Sequence, residues 1–101
     1  MADVIGSFDV SSFVNATVPL IESDLSVTVS KDARDELVNR MRPHQQTVSN
    51  DLASGKMTLD ELRRILFSVI QKAASFNPGR PIDRAAINQA ISMECHYLGW
   101  C

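Results

Sequence analysis

The stretch MTLDEL, residues 57–62, constrains the fold of this chain more than any other six residues. Thr58 is placed to accept from the backbone three residues on, Glu61 to reach back to the Thr58 amide, and Met57 to staple onto Leu62, so a helix starts here. Downstream, Leu59, Leu62, Ile65, Leu66, Val69, Ile70 and Ala73 recur at three- and four-residue intervals, with Phe67 beside them. A face that wide predicts the central helix of a core. Asn77, Pro78 and Gly79 end it: Pro78 presets φ, and Gly79 takes the positive φ that a type II turn needs.

The rest of the chain reads as further helices. Val10, Phe13, Val14, Val18, Ile21 and Leu25 trace one helical face, with Asp9 or Ser11 as its cap, while Pro19 predicts a kink or two short helices. LSVTV, residues 25–29, alternates and is β-branched, which favours an extended connector. Ser30 then caps a helix whose first turns carry Asp32, Asp35 and Glu36, where the dipole favours negative charge. Its buried line is Ala33, Leu37, Met41, His44, Val48 and Leu52. Pro43 lies within that line and predicts a bend or break near residues 39–42, with Gly55 as the C-cap. Asp83 caps the last helix, in which Ile87, Ala90, Ile91, Cys95 and Leu98 form one stripe and Ala86, Met93, Tyr97 and Trp100 a neighbouring one. The VTV connector and the RPID segment, residues 80–83, are placed to form a small bridge between loops. The expected fold is all-α, a small orthogonal or irregular bundle of four to five helices with the 59–75 helix at its centre.

With 101 residues the chain is long enough for one domain, a single helical unit 1–101 with an acidic N-terminal segment 1–29 and a helical body 30–101. Its 45% hydrophobic and 22% charged residues belong to a folded chain rather than a disordered one. At this size only about two thirds of the unfolded surface is buried, so association with a partner or with itself as a homo-oligomer adds stability. A net charge of −2 argues against broad attraction to nucleic acid or anionic lipid. The charge is uneven: residues 1–30 hold Asp3, Asp9, Glu22 and Asp24 without a Lys or Arg, and all ten basic residues follow. No apolar run reaches the ~18 residues of a membrane span, and MADVIGSF lacks a basic start and a long apolar core, so the expected location is cytoplasmic. Cys95 and Cys101 lie too close together for a disulfide framework, and reduced thiols are expected.

The last ten residues, SMECHYLGWC, concentrate the chemistry. Gly99 suits a left-handed helix cap and Trp100 the position that folds back near Cys95, so the tail is expected to close the core. A zinc site is the sharp alternative, drawing on Cys95, His96, Cys101 and the distant His44. Adjacent helical residues point about 100° apart, however, and no paired knuckle is present. Thiol catalysis is disfavoured because Cys95 sits late in its helix, at the electronegative end. The tail also resembles, in composition alone, the precursors of ribosomally made modified peptides, which would make it a carrier segment for an enzyme to modify.

For nucleic acid the candidates are Arg34, Arg40, Arg42, Arg80 and Arg84, since Arg63 and Arg64 are already balanced by Asp60 and Glu61. No phosphate loop, paired carboxylate or cofactor motif is present. The expectation is therefore a non-catalytic protein–protein interaction module, a small adaptor, assembly subunit or inhibitor of a larger partner. Its candidate anchors are Phe8, Phe13, Met41, Phe76 and Trp100, residue types enriched at the centres of interfaces.

Overall fold

Side-chain caps start four helices at the residues the sequence marks. Asp9 Oδ2 accepts from the Ser12 amide at 2.8 Å, Ser30 Oγ from Ala33 at 3.1 Å, and Asp83 Oδ1 from Ala86 at 2.9 Å. At the fourth, Thr58 Oγ1 accepts from the Glu61 amide at 3.1 Å while Glu61 Oε1 accepts from the Thr58 amide at 2.8 Å, a complete capping box. The computed structural model describes residues 8–98, with side chains for residues 8–94. Its elements are α1 (Val10–Leu25), α2 (Lys31–Met41), a 3-10 turn (Arg42–His44), α3 (Gln45–Ser54), α4 (Leu59–Phe76) and α5 (Arg84–Leu98). Because α2, the turn and α3 follow without a gap, the chain forms four helical rods, an all-α irregular bundle without a strand among the described residues.

The two prolines that fall within apolar lines have different effects. Pro19 neither ends nor divides α1, which runs unbroken from Val10 to Leu25. Its ring sits on the exposed side, while Val10, Phe13, Val14, Thr17, Val18 and Ile21 are buried on the other. Burial along that face outweighs the bond Pro19 cannot donate to Asn15. Pro43 does break its helix, but at residues 42–44, just beyond the predicted 39–42. There it occupies the first turn of a 3-10 segment, where a missing N–H costs least.

One core cluster joins the rods. It takes Val10, Val14, Val18 and Ile21 from α1, Leu37 and Met41 from α2, Leu62, Leu66, Val69 and Ile70 from α4, and Ile87 and Ile91 from α5. The widest interface is α4 on α5, followed by α2 on α5, with α1 packed on α2 and α4. α5 thus packs on both α4 and α2, while α4 packs on α5 and α1. Ala86 and Ala90, both buried, let two neighbours approach α5 closely.

The two connectors meet as the sequence suggested. Val29 and Ile82 form an isolated parallel bridge, with Ile82 N–H donating to Thr28 O at 2.8 Å and Ser30 N–H to Ile82 O at 2.9 Å. The connector at residues 26–30 is further held by Glu22 Oε2, which accepts from the Val29 amide at 2.7 Å. At the other, Arg80 N–H donates to Asn77 O at 3.1 Å around Gly79 at φ 83, the turn that Pro78-Gly79 predicts. Because the bridge lies immediately before the caps Ser30 and Asp83, α2 and α5 set out side by side in the same direction. Thr58→Ala removes one half of the capping box and is expected to lower stability by about 1 kcal/mol in urea unfolding; no change would mean that the start of α4 is fixed by packing alone.

Candidate interaction surface

The proposed anchors separate once burial is known. Phe13 and Met41, at 9% and 2% exposure, belong to the core and offer nothing to a partner. Both sit on the apolar line of their helices, and the bundle closes over that line. Phe8 is half-buried, its ring tilted 51° against Phe13 with centroids 5.5 Å apart, so it extends the core past the start of α1. Phe76 is likewise partly buried against the core. Trp100 lies outside the described residues.

Two of the five candidate arginines are engaged across the fold. Arg40 Nη1 donates to Asn88 Oδ1 at 2.9 Å, and Arg84 Nε lies 3.5 Å from Glu36 Oε1, so both tie α2 to α5. Arg34 is half-buried, and its Nε has no hydrogen-bond partner. Arg42 is exposed on the 3-10 turn and Arg80 on the second connector. Arg42 adds a small attraction to Asp9, whose carboxyl is held below the usual aspartate range mainly by the hydrogen bonds it takes from Ser12. Arg42 and Arg84 line one open groove with Asp35 beside them, whereas Arg34, Arg40 and Arg80 are not among its lining residues, so the five do not form one basic face.

The proposed metal ligands are not brought together in what is described. His44 is half-buried in the 3-10 turn, Cys95 and His96 lie on α5 with side chains outside the described set, and Cys101 lies outside it altogether. Among the described residues no group of three or more His, Cys, Asp or Glu could hold a metal ion. Nor, among them, is any helix long and apolar enough to cross a membrane.

Sequence reasoning missed the residues that do reach the surface. Leu20 is 61% exposed, Met93 57% and Leu59 44%. Leu59 was expected on the buried face of α4, but as its first residue it precedes the turn that packs. Met93 belongs to the secondary stripe of α5, whose Ala86 is buried, and is itself exposed beside an open groove of about 550 Å³ lined also by Ser68, Gln71, Lys72 and Ser75. Leu20 could have been found: it falls off the α1 stripe in a helix whose other large apolar side chains keep to it.

On α1 the exposure is organised. Ala16, Pro19 and Leu20 are all exposed at three- and four-residue spacing, which puts them on one outer face. Asp24, also exposed, continues that face one turn on, and no Lys or Arg occurs in residues 1–30. The geometry is a short apolar stripe with one carboxylate at its end. No family model matches this chain, and neither the curated proteins nor the solved structures contain a match to it.

Proposed function

We propose that this chain is a non-catalytic protein-binding module that engages a larger partner through the outer face of α1. The observation that carries this reading is Leu20, the most exposed of the large apolar side chains among the described residues, set between Ala16, Pro19 and Asp24 on a helix without a basic residue. A partner that fits presents an apolar patch with Lys or Arg at its edge, so that the aliphatic stripe is desolvated at the centre and the Asp24 carboxylate is paired at the rim. Adaptor, assembly subunit and inhibitor all share this requirement.

The immobilised chain is expected to retain one partner from its native cell, and Leu20→Lys to reduce that capture by about tenfold or more. Met93→Lys, equally exposed on α5, serves as the control and leaves capture unchanged. Retention through acidic and basic rims should also weaken as salt is raised. Equal capture by Leu20→Lys and the wild type, with both folded by circular dichroism, would remove α1 as the binding surface.

A further inference from the structure

We infer that the groove between α1, α2 and the start of α5 binds a small sugar phosphate, with Arg42 and Arg84 holding the phosphate and the polar side chains beside them the sugar hydroxyls. The site is independent of the surface proposed above. Ser11 and Asn15, the α1 residues that line it, lie roughly 140 to 180° around that helix from Leu20.

The groove is open and about 330 Å³ in volume, room for a small molecule rather than a bare ion. Its lining rules out an apolar occupant. Val38 is the one apolar side chain among the described residues that line it, and at 9% exposure it supplies only a strip of wall. Every other described lining residue carries a hydrogen-bonding side chain, which an apolar ligand would strip of water without replacing.

Two guanidiniums with unused donors share this groove. The Arg42 side chain is exposed and makes no hydrogen bond or ion pair among the described residues; its one recorded interaction is the small attraction to Asp9. Arg84 engages only through Nε, 3.5 Å from Glu36 Oε1, which fixes one edge of the group and leaves both terminal nitrogens for another acceptor. Paired N–H groups of that kind match two oxygens of a phosphate. Asp35 is the one carboxylate in the described lining, and its charge is already taken by Lys31 Nζ at 2.9 Å. The groove is therefore locally cationic in a chain whose net charge is −2.

The remaining polar groups distinguish a sugar phosphate from a plain anion. Carboxamides and hydroxyls both donate and accept, as sugar hydroxyls do, and Asp35 adds a pure acceptor that an anion alone would avoid. These groups are little used within the fold. Asn39 has no side-chain hydrogen bond among the described residues, and Asn15 Nδ2 donates only to Ser11 Oγ, at a long 3.5 Å.

The test titrates the chain with glucose 6-phosphate and with ribose 5-phosphate at fixed ionic strength, followed by amide NMR. Because both arginines are open to water, a Kd of about 1 mM is expected for at least one of them, with saturable shifts at the Asn39 and Arg42 amides. Inorganic phosphate should bind about tenfold more weakly, since it reaches none of the hydroxyl partners. Arg42→Gln and Arg84→Gln should each weaken sugar phosphate binding by about tenfold or more. Arg80→Gln removes the same charge at an exposed position outside the groove and should change binding by less than about twofold. Arg42→Gln breaks no hydrogen bond or ion pair among the described residues, so it decides the matter even if Arg84→Gln, which loses the Glu36 contact, fails to fold. The absence of saturable shifts with both sugar phosphates up to about 30 mM would overturn the proposal. Equal weakening by Arg42→Gln and Arg80→Gln would do the same, as would inorganic phosphate binding as tightly as the sugar phosphates.

Discussion

Leu66→Ala is expected to lower the free energy of unfolding by about 3 kcal/mol, and by up to about 5 if the site does not collapse around the lost atoms. Leu66 has no exposed surface and lies at the middle of the apolar face of α4, in the cluster that reaches Val14, Leu37 and Ile87 on the other helices. Truncation removes buried methyl groups and leaves a cavity that four converging elements cannot easily close. For a domain of this size 1 kcal/mol corresponds to about 4 to 8 °C, so the melting temperature should fall by roughly 15 °C. Leu20→Ala is the matched control, the same chemical change at an exposed position, and should stay within about 0.5 kcal/mol of wild type. Equal losses at the two positions would mean that the division of α1 and α4 into buried and exposed faces is wrong.

That contrast also shows which parts of the fold were legible in the sequence. Local signals carried over directly: Asp9, Ser30, Thr58 and Asp83 cap where their side-chain chemistry says they should, and Gly55 and Gly79 both adopt φ 83°. These features depend only on a few neighbouring residues. Of the two outcomes expected at Pro19, division into two short helices does not occur, because burial on the opposite face of α1, a property of the assembled bundle, outweighs the proline's local cost. The packing of α5 on α2 as well as on α4 was likewise hidden, since helix pairing depends on which faces meet and periodicity reports only that a face exists. The same limit applies in reverse to two of the five candidate anchors. Phe13 and Met41 stand on the stripe that the core consumes, whereas Leu20 interrupts the polar side of α1 and stays exposed. For a chain this short, an apolar residue off the stripe is the better guide to a surface site than a large one on it.

The contact between the connectors is long-range, yet two extended segments before helix caps pointed to it, and its weight can be measured. Ile82→Ala truncates a side chain that is 2% exposed and should cost about 2 to 4 kcal/mol. Ile82→Pro also reduces the buried side chain, but it abolishes the donor to Thr28 O, leaving that carbonyl without the 2.8 Å bond it has now. The added penalty is about 1 to 3 kcal/mol, the cost of a stranded polar group. Ile82→Pro should therefore be the more damaging of the two in urea unfolding, and hydrogen exchange at the Ser30 amide should speed up with it, since that amide donates to Ile82 O across the same bridge. If the two variants unfold alike and the Ser30 amide stays protected, the backbone bonds contribute nothing beyond the packing of Ile82. The parallel setting of α2 and α5 would then rest on core packing such as that of Leu37, Ile87 and Ile91 and on the Arg40–Asn88 and Arg84–Glu36 links, and the bridge would be a consequence of helix packing rather than one of its causes.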